Sequence, residues 1–443
     1  VPLVYKLSTV CVSMFMAGLL GIAPSAIAQT MQPSGLTAPP VSNPTESAAL
    51  EPTATQPPVI EPTESQSGSA VSASVRRLHY TLKLDVRGTY DDNIALTQTN
   101  HIHDYSLRID PVISFSFGEA EASGSNSLHF EYDPDIILYL DHSNLDALQH
   151  VIHFGATSHL SRLTLGVTEE AQFLHGTDVN QFTQTGTFVN SVNLDVRGRP
   201  EVNTFNTGAT AAYDLTGKTS LSAGGQWSIT DYSQFTSSQT VSGSLYLSYA
   251  FQPKLSVGVG GTGGRQLVDE PTPDQTFEQA NVRLSYEVTG KVQASGSAGI
   301  EFRQVDTGTN DYFSPVFELG LYYEPFDGSA FSLSGSRRTT SSASLVGQDF
   351  ISTQFTASWR QRLLQRLSVS FTGGYENLTY FNVISGVNST RDDNYYFIEP
   401  AIDVRITRYW SAGGYYLHRE NTSSLSGFGF NDNQTGFRTT LIF

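Results

Sequence analysis

The sequence predicts an all-β chain: a transmembrane, antiparallel, up-and-down β-barrel of about eighteen strands with a disordered N-terminal tail. Three observations predict it. From residue 76 onward apolar and polar residues alternate with the strand period of two, and no amphipathic helix interrupts them. The alternating stretches run to roughly ten to fifteen residues, longer than strands of soluble sheets and suited to a tilted membrane crossing. Their connections alternate between tight turns and longer polar loops, which is how a membrane barrel distributes its two rims.

In chain order, residues 1–28 read as a secretory leader. Lys6 precedes an apolar run through Leu19, Leu20 and Ile22, and Ala26-Ile27-Ala28 supplies a small-x-small exit. The only cysteine, Cys11, lies inside that leader, so the mature chain is expected to have no disulfide frame and no thiolate chemistry. Residues 29–75 are rich in Pro, Ser, Thr, Glu and Ala, with almost no aromatic residue. Such a stretch buries too little apolar surface to offset its ordering entropy, and it is expected to be a disordered periplasmic tail.

Residues 76–443 form the expected barrel. In the first strand Thr81, Lys83, Asp85, Arg87 and Thr89 alternate with Tyr80, Leu82, Leu84, Val86 and Tyr90. Glu278, Ala280, Val282, Leu284 and Tyr286 alternate likewise with Gln279, Asn281, Arg283, Ser285 and Glu287. Tight turns are expected at Leu160-Ser161-Arg162, Leu215 to Lys218, Gln252-Pro253-Lys254, Thr289-Gly290-Lys291, Pro325 to Gly328 and Thr407-Arg408. Longer loops are expected around Asp269 to Asp274, Asp306 to Asp311, Phe381 to Asp393 and Thr422 to Phe430. The longest loop, Gly176 to Val202, is the obvious candidate for a segment folded into the lumen. A hairpin miscounted there or near Gly118 to Asn126 would change the count to sixteen or twenty. Pro111, Pro134, Pro315 and Pro400 fall inside strands, where each removes a ladder donor, and a repeated bulge near the rim is expected.

The last stretch places Phe437, Thr439, Leu441 and Phe443 on one face and Arg438, Thr440 and Ile442 on the other. A terminal aromatic after apolar residues at every second position is like the assembly signal on the closing strand of Gram-negative outer-membrane barrels. Phe437, Leu441 and Phe443 are its expected elements. Aromatic content agrees: 21 Tyr and 26 Phe in a chain of negative mean hydropathy suit a lipid-facing band with girdles around a polar lumen. Tyr409, Trp410 and Trp359, close to expected tight turns, are candidate girdle residues.

The run Gly88-Thr89-Tyr90-Asp91-Asp92-Asn93-Ile94, with the turns Thr216 to Thr219 and Gln361-Arg362, resembles the beta-barrel porin 2 family. The resemblance implies an outer-membrane porin-like barrel, and some members are associated with exopolysaccharide export. It implies no catalytic residues.

Catalytic chemistry is not expected. Asp141-His142-Ser143 cannot converge as a triad if it lies on one strand, since neighbours point to opposite faces. His150 with His153, and His101 with His103, lack a third ligand at a characteristic spacing. Gly258 to Gly264 has no following helix to form a phosphate nest, so close packing or an aromatic-covered glycine is the better expectation. No metal or cofactor site is assigned.

Charge carries what functional content remains. The formal net charge is −17, and one unit more negative without Lys6. That balance argues against nucleic acid and for an acidic mouth, with Asp91, Asp92, Asp392 and Asp393 as its candidates; such a mouth concentrates cations within a Debye length. The alternation assigns Lys83, Asp85, Arg87, Arg108, Asp110, Arg283, Glu287, Glu301, Arg303 and Arg360 to the lumen. The expected function is passive diffusion of small hydrophilic solutes or ions across the outer membrane. Exopolysaccharide export or envelope assembly, and a structural or adhesive barrel with a closed lumen, are the alternatives. Expected partners are the outer membrane with its lipopolysaccharide, the barrel-assembly machinery and, for export, periplasmic polysaccharide-export proteins.

Overall fold

The computed structural model describes residues 78–118, 126–176, 192–196, 198–289, 291–306, 311–384 and 390–443. The expected leader and tail lie outside these residues. The strands are β1 (Leu78–Asp91), β2 (Asp104–Phe117), β3 (Ser127–Tyr139), β4 (Ala147–Leu160), β5 (Leu163–His175) and β6 (Glu201–Asp214). They continue as β7 (Thr219–Tyr232), β8 (Ser238–Gln252), β9 (Leu255–Val268), β10 (Gln275–Thr289), β11 (Val292–Val305) and β12 (Tyr312–Phe326). The last six are β13 (Ser329–Ser341), β14 (Gln348–Arg362), β15 (Leu367–Asn382), β16 (Asp392–Arg405), β17 (Trp410–Ser423) and β18 (Phe430–Ile442). Every strand pairs antiparallel with its sequence neighbour, and β18 pairs with β1, so the 18-stranded sheet closes. Closure satisfies the backbone groups that an edge would leave unpaired in lipid.

The seam runs from Lys83 opposite Ile442 to Asp91 opposite Gln434. It is fastened beyond the ladder by Phe443 N–H donating to the Leu82 carbonyl at 2.8 Å and Leu82 N–H donating back at 3.2 Å. Leu78 and Phe443 therefore sit on one rim, here the turn rim; the opposite end is the loop rim. The tight turns fall on the turn rim and the long loops on the other, as the spacing predicts. On either side of residues 119–125, β2 pairs with β3, and no strand stands between them in the sheet among the described residues.

Exposure alternates most sharply along β8 and β16. Leu82, Leu107, Leu245, Val259, Val282 and Ile300 point outward with large exposed areas, while the residues between them point into the barrel. An apolar belt this continuous around a polar interior is the signature of a lipid-facing wall. Near the turn rim the belt carries exposed Tyr213, Tyr249, Tyr323, Trp359, Tyr409 and Trp410, which form an aromatic girdle.

The prolines behave differently from the expectation. The β2–β3 ladder breaks between Ile109 opposite Ile136 and Ile113 opposite Tyr132, yet resumes in the same register. The β16–β17 ladder does the same across Pro400. Each proline removes a donor, but its neighbours carry the register across, so no bulge forms. The register shifts that do occur lie at Ala250/Gln252, Glu287/Thr289 and Tyr323/Phe326, all at the turn rim. There a tight turn must reconcile two strands of unequal length.

Candidate functional site: the lumen and its cavity

The lumen is divided between a filled side and an open side. On the filled side the inward faces of β15 to β18 present Leu378, Tyr380, Tyr395, Phe397, Ala401, Tyr415, Leu417 and Phe430. Loop residues Leu96 and Leu194 are buried in the same cluster, with Val192, Leu345 and Phe350 packed against it. Glycine makes room for these rings: a Cβ at Gly436 would collide with the ring of Tyr415. Tyr415 OH lies 2.6 Å from Thr89 Oγ1 across the barrel seam. The sequence does signal this side, because Tyr395-Tyr396-Phe397-Ile398 is apolar on both faces, as in a strand buried on both.

Residues 192–196, between β5 and β6, fold inward over this cluster. Asp195, 6% exposed, accepts bonds from Ser342 Oγ at 2.6 Å, Ala343 N–H at 2.6 Å, Ser344 Oγ at 3.1 Å and Tyr380 OH at 3.0 Å. Arg391, fully buried, donates to the Asp195 carbonyl at 3.2 Å, to the Leu194 carbonyl and to the carboxylate of Asp393. Its guanidinium lies between the rings of Phe428 and Tyr380, 3.7 and 4.7 Å from their centroids. Loops from four hairpins thus converge on one buried cation and two buried carboxylates.

The tip of the β13–β14 hairpin also leans into the lumen. Its ladder with β12 ends at Arg337, and beyond that point Asp349 accepts bonds from Gln275 Nε2 at 2.9 Å and Tyr312 OH at 2.6 Å. Arg303 spans the junction: it donates to Glu301 at 2.9 Å, Gln266 at 3.0 Å, Gln275 at 3.1 Å and the Thr339 carbonyl at 3.1 Å.

On the open side lies a cavity of about 710 Å³ bounded by inward residues of β3 to β13 and by Asn193, Asp195, Thr236 and Ala343 from the folded-in loops. Its wall carries many hydroxyl and amide groups, including those of Thr204, Asn206, Ser244, Thr262, Gln279 and Asn281. Tyr246 lies flat on that wall because Gly260 has no Cβ beneath it. Its OH is 3.1 Å from Asn281 Nδ2, and the Arg283 guanidinium stacks 3.3 Å from its centroid. The glycine-rich stretch therefore serves close packing under a ring, as expected.

The assigned lumen residues fall into distinct settings. Lys83 pairs with Asp85, which also accepts from Thr440; Arg108 pairs with Asp135 at 2.8 Å; Arg87 lies 5.4 Å from the Tyr415 ring centroid. Asp110 shares their inward face in β2, half-buried. Arg283, Glu301 and Arg303 border the cavity, although the last two are 2% and 4% exposed and committed to each other. Arg360 is exposed near the turn-rim end of β14. The side chain of Glu287 lies outside the described residues.

The acidic-mouth assignment needs correction. Asp92 is half-buried, its carboxylate bonded to Asn433, and Asp392 is exposed; Asp91 and Asp393 are buried. Asp91 accepts from Asn93 N–H at 2.7 Å and Gln434 Nε2 at 2.9 Å, and Asp393 holds Arg391. Strand alternation is the cause, since of two adjacent aspartates at a strand end one must turn inward. Phe437 and Phe443 of the closing strand stand exposed on the outer face, and Leu441 is half-buried beside Trp410 in the register.

The residues set aside as catalytic or metal material also find places. His142 Nδ1 lies 2.9 Å from Asp104, not Asp141, and Asp104 further accepts three backbone N–H groups, of Tyr105, Asp141 and His142. That arrangement latches the β3–β4 loop to β2. His150 and His153 point to opposite faces of β4, as alternation requires. His150 faces outward with its Nδ1 2.9 Å from Tyr132 OH, and His153 faces the cavity.

Residues 197–314, from the approach to β6 into β12, match the model of a family described as "Putative MetA-pathway of phenol degradation". No curated protein matches the chain. Similar solved structures include the outer membrane protein opdK from Pseudomonas aeruginosa, at 11% identity and TM-score 0.40, covering 82% of this chain and 98% of that one. OccAB4 of Acinetobacter baumannii has 9% identity and TM-score 0.42, with coverage of 82% and 98%. OccK2 (OpdF) of Pseudomonas aeruginosa, in complex with glucuronate, has 11% identity and TM-score 0.41, with coverage of 82% and 98%.

Proposed function

We propose that the protein is an outer-membrane channel for passive diffusion of small hydrophilic solutes. The observation that carries this reading is a polar cavity inside a closed, lipid-faced 18-stranded barrel. Eighteen strands enclose more space than their own side chains fill, and inward-folded loops narrow that space to solute dimensions. The turn rim, with both ends of the described barrel, is on the periplasmic side; the loop rim faces outward, with lipopolysaccharide around it. The barrel-assembly machinery reads the closing strand through Phe437, Leu441 and Phe443.

The packed cluster along β15 to β18 supports a small solute over an exopolysaccharide, because an extended polymer would need the width that Leu194 and its neighbours occupy. The phenol-degradation description of the family model matched by residues 197–314 is compatible with entry of small solutes. Planar bilayers containing the refolded protein test the proposal. Discrete ohmic conductance is expected; folded protein that conducts no current, even after excision of the β5–β6 loop, would transfer the barrel to a structural role.

A further inference from the structure

We propose that His129, Glu131, His153 and Glu170 form a binding site on the lumen wall for one divalent transition-metal ion of the zinc type. The sheet register assembles them. Glu131 on β3 lies opposite His153 on β4, and His153 lies opposite Glu170 on β5, so three potential ligands form one inward-facing row. Directly opposed residues have Cβ atoms about 4.5–5.5 Å apart, within joint reach of a single ion. His129, two residues before Glu131 on the same face, is the fourth. All four border the cavity, from which an ion can reach them.

Within each of two pairs the ligand atoms are near coordination spacing. His153 Nδ1 is 3.7 Å from Glu170 Oε2, and His129 Nε2 is 4.0 Å from Glu131 Oε2. With metal bonds of about 2.0–2.2 Å, adjacent ligands of a tetrahedral ion stand about 3.4 Å apart, so each pair is close to that distance, and side-chain rotation has to draw the two pairs together around one ion. Outer partners already aim two of the groups. Ser116 Oγ lies 2.9 Å from His129 Nδ1, which leaves Nε2 toward Glu131. Gln172 Nε2 donates to Glu170 Oε1, which leaves Oε2 toward His153. Such second partners set ring orientation and ligand basicity at metal sites. Two imidazoles and two carboxylates favour zinc over magnesium or calcium, which prefer oxygen throughout.

The experiment is titration of the purified, folded barrel in detergent with Zn²⁺ by calorimetry, folding being verified for each variant by its heat-dependent gel migration. The wild type should bind one Zn²⁺ that excess Mg²⁺ does not displace. Glu170→Gln and the double variant His129→Gln/His153→Gln should lose it, and Gln172→Leu should weaken it by about ten- to a hundredfold. His150→Gln, which alters the outward-facing histidine of the same strand, should bind as the wild type does. Equal Zn²⁺ binding by the double variant and the wild type would overturn the proposal, as would no binding by the wild type or displacement by Mg²⁺. The readout is metal binding itself, so a negative result leaves the channel reading standing, and a barrel without conductance can still pass this test.

Discussion

At the residue scale Arg391 and Asp393 show how a charged side chain in the lumen can be structural. Both are fully buried, and the arginine also donates to two carbonyl groups of the β5–β6 loop. Removing one partner of a buried pair leaves the other uncompensated and costs about 3–5 kcal/mol. Asp393→Asn is therefore expected to lower the denaturant midpoint of the folded barrel, while Asp392→Asn, at an exposed position, leaves it near the wild-type value. Unfolding of both variants followed by gel shift checks this, and equal midpoints would contradict the burial argument. Arg303 belongs to the same class. Its guanidinium joins β9, β10 and β11 to the β13–β14 hairpin, so Arg303→Gln should loosen that hairpin and broaden the current noise.

At the element scale residues 192–196 of the β5–β6 connection occupy part of the lumen, and Asp195 holds them there through four accepted hydrogen bonds. Hydrogen bonds to a charged acceptor contribute about 1.5–3 kcal/mol each when made, and they are lost together if the carboxylate is removed. Asp195→Ala is expected to raise single-channel conductance, because the loop no longer docks on the β13–β14 tip and the apolar cluster. Unchanged conductance would place the narrowest point elsewhere. The closing strand makes a second prediction. Phe443 completes the seam with two backbone bonds to Leu82, and its ring stands on the outer face. Deleting it should prevent assembly in cells, with the truncated chain accumulating outside the membrane; normal levels of folded protein would show that the strand is recognised by other residues.

At the scale of the whole molecule, closure predicts resistance to unfolding at room temperature and a gel shift on boiling, since a sheet without edges has no place to unzip. Identical migration before and after heating would remove the barrel. The net charge predicts weak cation selectivity that fades as salt rises, with Asp392 and other exposed loop carboxylates contributing and Asp91 and Asp393 silent. Reversal potentials at low and high salt measure it, and a preference unchanged by salt would assign selectivity to groups inside the cavity such as Arg283.

The sequence by itself determined the barrel, its two unequal rims and the face on which most side chains stand, and it put the strand number at about eighteen; the closed sheet fixed it at eighteen. All of these follow from a period of two and from turn chemistry, which are local properties. Glu278 to Tyr286 shows the reliability of such a pattern, and Asp91 shows its limit, because at a strand end alternation says which way a side chain points but not what meets it there. Only the tertiary structure decided that Asp195 would clamp onto Ser342 and Ala343, that Arg391 would be enclosed, and that Glu131, His153 and Glu170 would share one row with His129 beside it. Those contacts join residues from different hairpins, and their meeting depends on barrel closure and on cross-strand register, neither of which leaves a recurring spacing along the chain.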